Sequence, residues 1–163
     1  MALHPGRGSR AGGRRGRGDP PVGPPYARAV HVLTAPQLAF VTERHLATLT
    51  TPRADGTPHV VPVAFTWDAA AGVARTTTGP ATVKAANARR GDGRGGPARA
   101  ALCQVDGRRW LTLEGTVTVT DDPGELDEAL RRYAERYRPP RAGVERVVLR
   151  LAVDRVMSSR DLR

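Results

Sequence analysis

From residue 33 onward, apolar and polar positions alternate in short stretches separated by turn formers, a pattern that belongs to half-buried strands. His45-Leu-Ala-Thr-Leu-Thr-Thr51 alternates at period two and predicts a first strand. Arg53-Ala-Asp-Gly56 reads as a tight hairpin turn, because Asp-Gly favours the positive φ such turns need. A second strand is expected over Thr57–Thr66, at a sheet edge or irregular near Pro62, since proline cannot donate to a ladder. Val73–Thr78, Arg99–Val105, Arg108–Thr120 and Val144–Val156 complete a set of six strands. Asp106-Gly107 marks another hairpin, and Gly115 a bulge in the long fifth strand.

The period changes in three places. Thr34 is placed to cap a helix over Ala35–Arg44, with Leu38, Phe40 and Val41 on its apolar side. Thr82 is placed to cap a short helix through Arg90, followed by a glycine-rich loop to Ala98. Asp121-Asp-Pro-Gly124 opens a third helix through about Tyr137, with Leu126, Ala129, Leu130, Tyr133 and Ala134 on one face. Antiparallel hairpins with short helices at the crossovers predict a mainly β, six-stranded barrel. A βαβ rhythm is missing, and with it the strand that Gly91-Asp-Gly-Arg-Gly-Gly96 would need before it to bind a dinucleotide.

Composition adds a warning about charge. The 163 residues carry 26 basic and 16 acidic groups, a net charge of +10. All but one of the basic residues are arginine, isoleucine is missing, and asparagine occurs once, a skew typical of a GC-rich coding background. Residues 1–30 hold six arginines against one aspartate, with seven glycines and five prolines. Such a segment buries too little to offset its ordering entropy, so residues 1–32 are expected to be a disordered tail and 33–163 the folded domain. Arg14-Arg15 is not followed by the apolar stretch of an export signal. The Arg-Gly repeats could hold RNA electrostatically, which makes a nucleic-acid-binding protein the alternative from another functional class. No apolar run approaches the roughly 20 residues of a membrane helix, and the single cysteine fits a reducing, cytoplasmic setting.

Hydrolytic machinery is not visible. The serines, Ser9, Ser158 and Ser159, fall in the tail and at the far end, and the four histidines and Cys103 have no metal-ligand spacing. What stands out is the only lysine, Lys84, three residues from the only asparagine, Asn87, on one expected helix. Thr76-Thr-Thr-Gly-Pro80 precedes them with hydroxyls and backbone N–H groups. A helix N-terminus with an ammonium beside it attracts a phosphate, and Arg89 and Arg90 extend the positive field. The alternative is a solvated surface helix.

These segments resemble a family. His45–Thr51, Asp55-Gly-Thr-Pro-His-Val-Val-Pro-Val-Ala-Phe65, Thr76-Thr-Thr through Lys84-Ala-Ala-Asn-Ala-Arg-Arg90 and Gln104–Gly115 are similar to the pyridoxamine 5'-phosphate oxidase-like superfamily. Within it they resemble the branch that uses the deazaflavin coenzyme F420, and most of all its small biliverdin-reductase-like members. The likeness spans about residues 34–157. It implies an FMN-binding split β-barrel of Greek-key type that forms a homodimer, with cofactor in the grooves between subunits. It implies a phosphate contact at Lys84, with Asn87 beside it and Thr77 and Thr78 on the phosphate-side strand. Thr50, Thr51, Pro62 and Val63 match segments that line the ring, and Trp110 and Arg138 would lie near the cleft.

Two departures bear on the site. Thr82-Val83 stands where the family carries Ser-Arg or Ser-Gln, and the loop after Arg90 is longer than the usual tight turn. The activity implied is hydride transfer between F420 and a small organic acceptor, with an FMN flavoprotein as the alternative. The cofactor would carry the chemistry, which is consistent with the lack of a protein nucleophile.

Overall fold

The computed structural model describes Met1 and residues 32–163. The predicted tail therefore lies, apart from its two ends, outside the described residues. Helix α1 (Ala35–Thr42) opens the fold through a reciprocal cap. The Gln37 N–H donates to Thr34 Oγ1 at 3.3 Å, and the Thr34 N–H donates to Gln37 Oε1 at 3.0 Å. The helix stops two residues before the expected Arg44, and it buries Phe40 and Val41 while Leu38 stays 39% exposed.

Strands β1 (Ala47–Pro52) and β2 (Pro58–Val63) form the first hairpin. Asp55 closes its turn by accepting from the Thr57 N–H at 3.0 Å and the Thr57 hydroxyl at 2.6 Å, with Gly56 at a φ of 82°. The expected second strand divides here. β2 ends at Val63, the chain turns through Ala64 and Phe65, and β3 (Thr66–Asp68) begins on the opposite edge of the sheet. The sheet thus has seven antiparallel strands in the order β2-β1-β5-β6-β7-β4-β3, one more than the sequence pattern predicts.

Distant side chains cause the division. The Phe65 N–H donates to the Tyr137 hydroxyl at 3.2 Å, which itself donates to the His45 carbonyl at 2.7 Å. Arg136 donates to the carbonyls of Phe65 and Glu43 and stacks over the Phe65 ring. Backbone groups released at the break are therefore satisfied from the end of the third helix.

The other elements fall close to their expected places. They are β4 (Val73–Thr78), α2 (Val83–Arg90), β5 (Ala98–Asp106), β6 (Arg109–Thr120), α3 (Pro123–Arg136) and β7 (Val147–Ser158), with a 3₁₀ turn at Arg160–Leu162. Asp122 caps α3 by accepting from the Glu125 N–H at 2.9 Å. Of the apolar positions expected on α3, Ala129 is fully buried. The β6–β7 register shifts between Glu114 and Gly115, where a Cβ would sit 2.0 Å from the Ala152 carbonyl oxygen; only glycine permits that approach. The curled sheet wraps Phe40, Leu49, Phe65, Leu111, Leu113, Val117 and Leu149. Pro62 sits on an edge strand, as its missing N–H requires.

Candidate functional site

Alternation along β1 and β2 sends neighbouring residues to opposite faces of the hairpin. Ala47, Leu49 and Thr51 are buried, whereas Thr48 is exposed and Thr50 half-buried. On β2 Val63 is buried, His59 is half-buried, and Val60 and Pro62 are exposed. Thr50 and Pro62 consequently face outward, while the adjacent Thr51 and Val63 face the interior. The ring-side residues implied by the resemblance do not share one surface.

The outward face carries a groove of about 320 Å³ lined by Thr50, Pro52, Pro58, Arg99, Ala101 and Glu114. Its rim is charged, with Arg99 donating to Asp154 at 2.9 Å. Further along the same face Val60, Val105, Trp110 and Met157 are 54%, 57%, 37% and 40% exposed, and half-buried Cys103 lies among them. An apolar sheet face of this kind is what a second layer normally covers.

On the other side of the hairpin, α2 sets Ala85 and Ala88 into the core and presents Asn87 to β1, with Lys84 in its first turn. Asn87, 4% exposed, donates from Nδ2 to Thr51 Oγ1 at 3.0 Å and accepts from Arg90 Nη1 at 3.0 Å. Arg90 also reaches the Pro52 carbonyl at 2.5 Å, so the only asparagine is a clamp between α2 and β1. Thr82, expected as a cap, makes no side-chain bond to the helix. Its hydroxyl donates to the Gly79 carbonyl at 3.0 Å and accepts from Thr78 at 3.1 Å. That leaves the first N–H groups of α2 without a side-chain acceptor. Thr78 is buried and Thr77 half-buried on β4, which leads into this turn.

Lys84 itself is half-buried, and burial pulls its pKa below the ordinary 10.5. None of the ion pairs among the described residues involves it. His59 lies nearby: its pKa is held below the usual 6.5 by burial first, then by the charges of Arg53 and Lys84. A partly desolvated ammonium thus lies on the first turn of a helix whose N-terminal N–H groups lack a side-chain cap.

Comparison with known proteins places this arrangement. The sequence profile of the family described as "Pyridoxamine 5'-phosphate oxidase" matches residues 33–159. The chain belongs to that family. A curated relative, "F420H(2)-dependent biliverdin reductase" of Mycobacterium tuberculosis (strain CDC 1551 / Oshkosh), is 49% identical over 125 residues, 77% of this chain and 87% of the relative. A crystal structure of a conserved hypothetical protein from M. tuberculosis superposes with a TM-score of 0.65 at 25% identity, covering 81% of this chain and 88% of that one. A solved F420 reductase has the same fold, with a TM-score of 0.56 at 24% identity over 73% of this chain and 94% of its own. The curled sheet is thus the split barrel of the family.

Two further residues expected near the cleft fall on the outward face and after α3. Trp110 starts β6 on the outward face, with its backbone N–H donating to Ser159 Oγ at 3.4 Å. Arg138 is exposed after α3 and lines a separate cavity of about 270 Å³ with Arg44, His45, Leu46, Tyr133 and Tyr137. Arg89 and Arg90 bond to backbone carbonyls, Arg89 to that of Pro80 at 2.6 Å, and keep their charge at the surface. Among the described residues Glu43, His45 and Asp106 bring potential metal-ligand atoms within 4.8 Å of one another. Arg109 occupies that cluster, donating to both Glu43 oxygens at 2.8 and 2.9 Å and also to Asp106, so its guanidinium already neutralises the acids. Sequence reading passed over His59; the available signal was the Asp-Gly turn, whose register sets Thr51 opposite His59.

Proposed function

We propose that this chain is an F420-dependent oxidoreductase that passes a hydride between the deazaflavin and a small organic acceptor, with tetrapyrroles of the biliverdin type as the first class to test. The observation that carries the reading is Lys84, a half-buried ammonium with no carboxylate partner among the described residues, beside the open N-terminus of α2. A phosphate would supply the missing charge and accept from the uncapped N–H groups. When bound, the deazaflavin supplies the two-electron chemistry. The chain's own work is to hold, orient and exclude water. Lys84 and the α2 N-terminus hold the phosphate, with the Thr78–Thr82 hydroxyl pair fixing the turn before it. Arg89 and Arg90 meet the anionic oligoglutamate tail. Thr50 and Pro62 offer side chains toward the ring, while Thr51 and Val63 contribute backbone.

The same reading has the chain act as a homodimer. Val60, Val105, Trp110 and Met157 on the outward face need an apolar cover. A second copy across a two-fold axis provides one and closes the groove at Thr50 from above. The 49% identical relative supports F420 over FMN and a tetrapyrrole acceptor over other classes.

Titration of the purified protein with F420 and with FMN tests the reading, followed by oxidation of reduced F420 on adding biliverdin. Saturable F420 binding with turnover is expected. Binding of FMN alone would make the chain a flavoprotein, and binding of neither by an intact dimer would end the enzyme reading.

A further inference from the structure

His59 stands directly opposite Thr51 in the β1–β2 register, on the hairpin face that α2 covers. Its Nδ1 lies 3.5 Å from Thr51 Oγ1, a long contact whose hydrogen follows the imidazole tautomer. Because Asn87 already donates into Thr51 Oγ1, the threonine proton is free to point at His59 Nδ1. Arg90 fixes Asn87 in turn, so a chain of polar contacts runs Arg90–Asn87–Thr51–His59 across α2, β1 and β2.

The charges facing His59 are all positive. Arg53 approaches from the hairpin turn, with its Nη1 on the Pro58 carbonyl, and Lys84 approaches from α2. Arg90 follows one turn later behind Asn87. The acid of the adjoining turn, Asp55, is engaged by the Thr57 N–H and hydroxyl. Burial and these cations disfavour the protonated imidazole, and an anion entering beside it would reverse the local field.

We propose that His59 is a second anion-binding group of the Lys84 site and takes up a proton when the anionic cofactor binds. This rests on the reading of Lys84 as the phosphate contact. The step is a protonation by solvent: one imidazole nitrogen gains a proton, no other bond changes, and the imidazolium then faces the bound anion. Thr51 Oγ1 has the lone pairs to accept from both Asn87 and a protonated Nδ1. Sequence distance hides the relation, since α2 reaches His59 only through the Asn87–Thr51 contact across the hairpin.

Linkage gives the sign. The bound protein carries the higher His59 pKa, so affinity is greatest below it and falls as pH rises through it. Each pH unit gained is worth roughly tenfold in affinity. The test is calorimetric titration of F420 into the full-length protein at pH 6 and pH 8, in buffers of different ionisation heat, beside His59→Gln. Ionisation of F420 itself is common to both proteins and cancels in the comparison.

Wild-type protein is expected to take up a proton that His59→Gln does not, and to gain roughly tenfold more affinity at pH 6 than the variant gains. As a readout independent of the variant's folding, one imidazole resonance of the wild type should move to its protonated position when F420 is added at pH 7. Equal proton uptake and equal pH dependence in the two proteins, or an imidazole that does not move, would overturn the role of His59 alone. Wild-type protein that binds no F420 at either pH would overturn both this role and the reading of Lys84 beneath it.

Discussion

Two cations taken out of water show opposite arrangements. Arg75 on β4 is 6% exposed, and its charge is fully answered. Nη1 donates to Asp68 at 2.8 Å and Nε to Glu125 at 3.1 Å, while Asp68 also accepts from the N–H groups of Ala70 and Ala71. Burial opposes the arginine's charge, and the two carboxylates more than offset it. Lys84 on α2 is half-buried, and only desolvation acts on its pKa. The first cation is part of what holds β3, β4 and α3 together. The second has only burial acting on it, and under the proposed function a bound anion would offset that. In a chain with so many arginines, the count of positive charges says little; whether each has a partner separates structure from function.

Removing the answering charge at the first site should have the largest effect. Asp68→Ala leaves Arg75 buried with Glu125 as its remaining acid, and a loss of about 3–5 kcal/mol of unfolding free energy is expected from denaturant titration. Lys84→Ala should cost no stability by the same measurement. A clear drop for Lys84→Ala would break the contrast by giving that lysine a structural task.

Asn87→Ala comes next, at about 1–2 kcal/mol, because Thr51 and Arg90 each lose a buried partner. Its effect on cofactor affinity should be smaller than that of Lys84→Ala, since Asn87 clamps α2 to β1. Trp110→Glu should leave the barrel folded and shift the protein toward monomer in sedimentation, as a charge enters the outward apolar face.

The pH dependence gives the finest distinction. Burial would raise the Asp68 pKa, but Arg75, the Ala71 N–H and Arg132 bring it net below 3.8. Its contribution is therefore complete above 3.8 and lost as pH falls through the lower folded value. Lys84 follows the same sign in the alkaline range. With a folded pKa below 10.5, it adds stability as pH rises through the window between the two values. Lys84→Met should flatten the alkaline limb of a thermal-melting profile by a small amount and leave the acid limb alone.

Much of the barrel was legible because alternation and Asp-Gly turns are local signals. The hairpin of β1 and β2, the exposed edge position of Pro62 and the bulge at Gly115 follow from them directly. The division of the second strand was not legible. Ala64 and Phe65 carry no breaking residue, and the bonds that stabilise the break come from Arg136 and Tyr137, about seventy positions away.

The site divides in the same way. Lys84 could be singled out from sequence because it is a compositional exception. His59 could not be weighed as its neighbour, because their proximity depends on how α2 packs on the hairpin. The opposite orientation of Thr50 and Thr51 was implicit in the alternation that predicted their strand. Where Trp110 and Arg138 fall on the surface is decided by the strand order and the end of α3.

A fluorescence titration of F420 against wild-type protein and Lys84→Ala, side by side at one pH and salt concentration, tests the central claim most directly. The expected result is saturable binding by the wild type, weakened in the variant by about 1–3 kcal/mol, with both proteins melting at the same temperature. Equal affinity in the two proteins would contradict the assignment of Lys84 as the charge that holds the cofactor.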